Sequence, residues 1–281
     1  MPDPRVFIIR HGETEWSLNG RHTGTTELPL TPAGESRIRA TGAALVGPDR
    51  LIVPGNIAHI YVSPRRRAQR TLELLDLGCR ERFPWKEDDA GEGKGDGDRE
   101  GDGKGEGETI ERADGLRTFA PIEITESIRE WDYGAYEGLT TPSIISLRAE
   151  QGLPNAGAWD IWTDGCPDGE SPEDVTLRVD ALIADIRERF HKGRFGKGAG
   201  WKGEDGTGPN DVLVVAHGHV LRAFAARWVG KQVRDNPSLI LEAGGVGTLS
   251  YEHHRVEEPA ILLGGAFVVD VVEKEEGMRR G

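Results

Sequence analysis

The chain has 281 residues, 36% hydrophobic and 30% charged, enough to bury a core in one large domain or two small ones behind a solvated surface. Its formal net charge of −13 argues against nucleic acid as a partner, and no apolar run approaches a membrane span in length. Two cysteines, Cys79 and Cys166, are too few for a disulfide framework, and no secretory leader precedes residue 5, so the cytosol, with passive entry into the nucleus, is the expected compartment.

Val6 to Ile9 is a continuous apolar run, the pattern of a strand buried on both faces of a sheet. Thr31-Pro32-Ala33-Gly34-Glu35 predicts a capped helix running to about Leu45. A second buried strand fits His59 to Val62, and Ser63-Pro64 opens a helix through about Leu77 with Ala68, Leu72 and Leu75 on one face. Lys86 to Glu108 alternates glycine with charge. Its ten acidic and four basic residues give a local charge of −6, and it has too little apolar surface to offset its ordering entropy, so a disordered insertion is expected at 86–108. Ile122 to Ile124 is a short strand candidate and Ser143 to Glu150 a short helix. Ser171-Pro172-Glu173-Asp174 caps a helix running to about Phe190. A glycine-rich stretch at 193–208 reads as a flexible connection. Val212 to Val215 is a third buried strand, followed by a helix from about His219 to Val229, with later strand candidates at Leu239 to Leu241 and Gly247 to Tyr251. The alternation predicts one α/β domain over 1–281, a three-layer α/β/α sandwich around a mostly parallel sheet.

Each buried strand ends in polar sequence that a core does not need. These endings are Arg10-His11-Gly12-Glu13-Thr14, Ser63-Pro64-Arg65-Arg66-Arg67 and Ala216-His217-Gly218-His219. Ligands of open α/β sheets bind at the carboxyl ends of the strands, so two histidines and several arginines should converge on one crevice suited to a phosphate dianion. Cations at a helix start oppose its dipole, which hints that an arginine of 65–67 faces an anion. His217 and His219 lack carboxylate or thiolate company, so no metal is expected there.

These motifs resemble the histidine phosphatase superfamily, which includes the phosphoglycerate mutases. Arg10-His11-Gly12-Glu13-Thr14 is similar to its opening motif and Arg67 to its second phosphate arginine. Glu130, in Arg129-Glu130-Trp131-Asp132-Tyr133-Gly134 before Glu137-Gly138, resembles its proton donor, and His217 its second histidine. Gly169-Glu170-Ser171 matches a further signature. Within that superfamily, His22-Thr23-Gly24, Leu28 to Pro32, Leu221-Arg222 and Ser250 to His254 with Glu258-Pro259-Ala260 resemble the fungal sedoheptulose 1,7-bisphosphatase group. The glycine-rich insertions and a shorter stretch between Arg222 and Leu241 depart from that pattern.

The resemblance implies a phosphoglycerate mutase-like fold and a metal-independent phosphatase without a cofactor. In it His11 attacks phosphorus, Arg10, Arg67 and His217 hold the phosphoryl oxygens, and Glu130 protonates the leaving oxygen. A small phosphorylated sugar is the expected partner, contacted by Thr23, Gly24, Ser63, Tyr133, His219, Arg222 and His253, with His253 preferred to His254. Neither nucleic acid nor membrane is expected as a partner, and a homo-oligomer stays open. The alternatives are a mutase returning the phosphoryl group to substrate, a broad sugar monophosphatase, and a binding module without catalysis.

Overall fold

The computed structural model describes residues 3–86, 117–154, 156–195, 208–235 and 238–267. A six-stranded sheet runs through the molecule, with strands β1 (Val6–Arg10), β2 (Ile57–Val62), β3 (Ile122–Ile124), β4 (Asp211–Ala216), β5 (Val246–Tyr251) and β6 (Pro259–Phe267). Their spatial order is β3-β2-β4-β1-β5-β6. The first four are mutually parallel, whereas β5 runs antiparallel to β1 and β6 antiparallel to β5. Only seven residues join β5 to β6, too few for a crossover helix, so that edge must be a hairpin.

The apolar runs are explained by burial on both faces. In β1, Val6 and Ile8 belong to one core and Phe7 and Ile9 to the other. The first core lies under α4 (Thr141–Glu150), α5 (Ile161–Asp164), α6 (Pro172–Ile186) and α7 (Gly218–Trp228); the second lies under α2 (Pro32–Leu45) and α3 (Arg66–Leu74). Each such side chain, once fully buried, contributes about 1.5–3 kcal/mol. The result is the three-layer α/β/α arrangement.

Caps set the helix starts. Thr31 Oγ1 accepts the Gly34 N–H at 2.9 Å and donates to Glu13 at 2.7 Å. Ser171 and Asp174 form a reciprocal capping box on α6. The α6 pattern does not continue as an α-helix to Phe190. A π turn follows at Arg187–His191, and its extra residue brings His191 into the core in place of Phe190. His191 Nδ1 meets Tyr251 Oη at 2.6 Å, and burial lowers its pKa to about 3. Phe190 stacks instead on His59.

Three other expectations shift. Helix α3 ends at Leu74, because Asp76 and Gly78 take left-handed φ values of 54° and 61°. Residues 239–241 form no strand; the Leu241 carbonyl accepts a hydrogen bond from Arg10 Nη1 at 2.8 Å. A five-residue helix, α1 (Glu15–Asn19), follows β1 and is too short to leave a periodic trace.

Most of the acidic insertion and of the second glycine-rich stretch lies outside the described residues. Lys86 is described and closes a 3₁₀ turn, Pro84–Lys86. Close to where the chain leaves at 86 and returns at 117, Gly78 to Arg80 is clasped to Thr118. The Arg80 N–H donates to Thr118 O at 3.0 Å and the Thr118 N–H to Gly78 O at 3.2 Å. Replacing Glu87 to Glu108 with a short Gly-Ser linker is therefore expected to leave melting temperature and turnover nearly unchanged, since loop length alters stability only slowly. A large fall in either, by thermal denaturation or phosphate release, would mean that the stretch packs or binds something.

Candidate active site

Strands β1 and β4 are parallel neighbours with Arg10 opposite Ala216. The residues that follow, His11 and His217, therefore emerge side by side, and their ring centroids lie 5.1 Å apart. Strand β2 borders β4 on its other side and delivers Ser63 and α3 to the same end. The backbone register thus gathers the three polar strand endings.

His11 is buried, with Nδ1 2.7 Å from the Gly12 carbonyl. A carbonyl can only accept, so Nδ1 carries the proton and Nε2 keeps a free lone pair. Burial pushes its pKa well below the ordinary 6.5, helped by the Arg67 and Arg10 guanidinium groups, which leaves a neutral imidazole. His217 is fixed in the other tautomer. Its Nδ1 accepts from Arg67 Nε at 3.2 Å, so Nε2–H donates to Ser63 Oγ at 2.6 Å.

Glu130 projects to the N-terminus of α7. Its Oε1 accepts the Trp131 and Val220 N–H groups, both at 2.9 Å, and Oε2 accepts that of His219 at 3.1 Å. Burial raises its pKa above the usual carboxylate range, while those three N–H bonds and Arg67 oppose the rise. Glu170 holds the preceding segment: its carboxylate takes Arg129 Nη2, Arg178 Nε and Nη2, and the Asp132 N–H.

A cleft of about 210 Å³ opens onto these groups, and Arg10, His11, Glu130, Tyr133, His219 and Arg222 all line it. Tyr133 Oη lies 2.7 Å from His219 Nδ1, and Arg222 stacks over Trp162 at 4.7 Å. The Nε atoms of Arg10 and Arg222 have no hydrogen-bond partner. With Arg10, Arg21 and Arg222 on its lining, the cleft carries positive charge inside an acidic protein, as an anionic ligand requires.

The expected residues are not all on this surface. Thr23 lines the cleft, while Gly24 lies outside the lining, its N–H turned to Glu137. A Cβ on Gly24 would come within 2.4 Å of the Trp131 carbonyl, so only glycine fits. Arg67, Ser63 and His217 are buried beside His11 and outside the cleft lining. Arg67 gives Nη1 to Thr26 O and Nη2 to Thr23 O and Gly24 O, leaving one Nη1 N–H uncommitted. His253 is not brought to the cleft. Strand β5 runs antiparallel to β1 with Leu249 opposite Val6, so the turn after Tyr251 emerges at the far end of the sheet. There His253 is 75% exposed and paired with Glu258, and His254 pairs with Asp3.

Trp16 and Arg21 also line the cleft and escaped the sequence reading; His22 lines it too, a residue quoted there within a motif but not singled out for the site. Trp16 belongs to α1, whose capping box of Thr14 and Ser17 was the available signal. It packs on Gly138, where a Cβ would meet its ring at 2.9 Å. His22 sits between the rings of Tyr133 and Trp159, where burial lowers its pKa. Among the described residues no cluster of three or more histidine, cysteine or acidic side chains forms a metal-ligand set.

Comparison with known proteins shows what the chain and its fold are similar to. The profile of the histidine phosphatase superfamily (branch 1) matches residues 6–92 and 107–260. A sedoheptulose 1,7-bisphosphatase of Saccharomyces cerevisiae is 33% identical, with 97% of each chain covered. An acid phosphatase of Mycobacterium tuberculosis is 31% identical over 92% of this chain and 91% of its own. The solved structure of a Mycobacterium tuberculosis open reading frame superposes with a TM-score of 0.61 at 26% identity, covering 93% of this chain and 97% of that one.

Proposed function

This chain belongs to the histidine phosphatase superfamily and is a phosphoric monoester hydrolase, and we propose on that footing that its substrate is a sugar bisphosphate, with sedoheptulose 1,7-bisphosphate favoured. The observation that carries the reading is the shared cleft of a neutral His11 and a buried Glu130 whose pKa is raised. His11 Nε2 bonds to phosphorus as the phosphorus–sugar oxygen bond breaks, and the Glu130 proton passes to the departing oxygen. Water then attacks the phosphohistidine, its proton returns to Glu130, and inorganic phosphate leaves His11 neutral. Arg10 and the uncommitted N–H of Arg67 supply the charge and hydrogen bonds that stabilise the transferring group, and His217 joins them only by turning its Nε2–H from Ser63 to a phosphoryl oxygen, with no metal in the cycle.

A bisphosphate brings a second anion that this set cannot also hold. Arg222, whose side chain lines the cleft as a cation, is the leading receptor for it. Binding energy at the remote phosphate then orients the reacting one. Sedoheptulose 1,7-bisphosphate is expected to show a higher kcat/KM than sedoheptulose 7-phosphate or fructose 6-phosphate. Arg222→Ala should narrow that gap while affecting the monophosphates less. Equal specificity constants for all three sugars would leave the phosphatase chemistry standing and remove the bisphosphate preference, favouring the broad monophosphatase suggested by the likeness to an acid phosphatase.

A further inference from the structure

Glu137 is not part of the cleft lining, yet its carboxylate accepts three consecutive backbone N–H groups of the loop beside it. Oε1 and Oε2 accept the Gly24 N–H at 3.0 and 2.9 Å, and Oε1 also takes the N–H groups of Thr25 at 3.1 Å and Thr26 at 2.9 Å. The same loop turns carbonyls toward Arg67. Thr26 O accepts Nη1 at 2.9 Å, and Thr23 O and Gly24 O accept Nη2 at 3.0 and 3.3 Å. The peptides thus lie between an anion facing their N–H ends and a cation facing their oxygens. Each charge is stabilised by the dipoles between them, and each fixes the loop for the other without direct contact. Two backbone bonds stitch the segments together, His22 N–H to Leu139 O at 3.0 Å and Gly138 N–H to His22 O at 2.9 Å. Beyond the loop, Arg67 Nε reaches His217 Nδ1, and the His217 ring is next to His11.

We infer that Glu137 is a positioning residue for phosphoryl transfer, which acts through the 23–26 loop to hold the Arg67 guanidinium against His217 and so fixes the pair of histidine rings. The inference rests on His11 being the nucleophile. It does not depend on which phosphate ester is natural.

If the carboxylate is removed, the loop loses the acceptor for three N–H groups, its carbonyls turn, and Arg67 loses its seat. Arg67 helps to depress the His11 pKa, so displacing it lets that pKa rise. Glu137→Gln keeps the size but replaces one oxygen with a donor. The variant is expected to lower kcat by roughly ten- to a hundredfold with KM little changed, because a displaced transition-state group costs turnover rather than ground-state binding. The acid limb of its kcat/KM profile should move to higher pH. Both effects should be the same for p-nitrophenyl phosphate as for a sugar phosphate, since the leaving group is not involved. In a double-mutant cycle, Glu137→Gln should add little to Arg67→Lys. If the glutamine variant does not fold, Glu137→Asp, which keeps the charge but is too short to reach all three N–H groups, is read in the same way. Wild-type kcat with an unmoved acid limb, a loss confined to KM, or full additivity with Arg67→Lys would each overturn the inference. Hydrolysis of p-nitrophenyl phosphate without hydrolysis of sugar bisphosphates would overturn the substrate proposal and leave this test intact.

Discussion

His11→Ala is expected to lower turnover by roughly a thousandfold or more on every phosphate ester, because no other group on the cleft is a free nucleophile in line with a bound phosphoryl group. The imidazole that remains nearby, His217, has both nitrogens committed, one to Arg67 and one to Ser63. The fold should survive. His11 contributes a single side-chain hydrogen bond, to its neighbour Gly12, and the sheet register around it is held by backbone bonds such as His11 N–H to Ala216 O. Phosphate release and a melting curve, measured together, read the two expectations separately. A well-folded alanine variant that kept its activity would exclude a phosphohistidine on this residue. A wild-type enzyme quenched in mid-turnover should carry a phosphoryl group that is labile in acid and stable in alkali. Turnover should persist in excess EDTA, and a loss restored by magnesium would refute metal independence.

Glu130→Gln carries the second large effect, and its size should depend on the leaving group. A sugar alkoxide is too basic to depart without a proton, so loss of the acid should cost on the order of 10²–10⁴-fold on sugar phosphates. The nitrophenolate of p-nitrophenyl phosphate departs unaided, and its loss should be much smaller. The pH dependence follows from the two shifted groups. Burial raises Glu130 above its ordinary 4.5, so the protonated acid persists to higher pH and activity falls as pH rises through the raised value. His11 is depressed below 6.5, so the neutral nucleophile persists to lower pH and is lost only as pH falls through the lowered value. Both shifts widen the pH range over which the neutral nucleophile and the protonated acid coexist. The glutamine variant should lose the alkaline limb on p-nitrophenyl phosphate and keep the acid one. It should also melt earlier, because the amide NH₂ faces one of three backbone donors, and leaving a buried N–H unpaired costs about 1–3 kcal/mol. Equal losses on both substrates would remove Glu130 from proton transfer.

What could be read from the residues, and what could not, divides by the range of the signal. Caps and apolar runs are local, so Thr31, Ser171 and the strands at 6–9 and 212–215 lie where their own sequences put them. The convergence of His11 and His217 followed from strands of one buried type ending in unusual polar sequence. His253 failed for a non-local reason. Its strand looked like the others, but direction is set by pairing with β1, and an antiparallel β5 carries its far end away from the cleft. Arg67 was singled out among three arginines by the family resemblance, and nothing local says that its guanidinium is buried behind a loop. Trp16, Arg21 and His22 come from a five-residue helix and the turn after it, where no periodicity can accumulate. The π turn after Ile186 is a one-residue change of phase that an apolar pattern cannot distinguish from a frayed end.

The clasp between Gly78–Arg80 and Thr118 has a consequence for how this gene can be altered. It lies ahead of β3, whose parallel pairing with β2 sets it toward the end of the sheet opposite His11. It anchors the returning chain at Thr118 to residues 78–80, six residues before Lys86. A folded domain whose own termini lie close together, such as a fluorescent protein, is expected to be accepted between Lys86 and Arg117, because the clasp holds the core on the Thr118 side independently of what is inserted. The enzyme would become a reporter of its own abundance, with the cargo at the opposite pole from the substrate entrance.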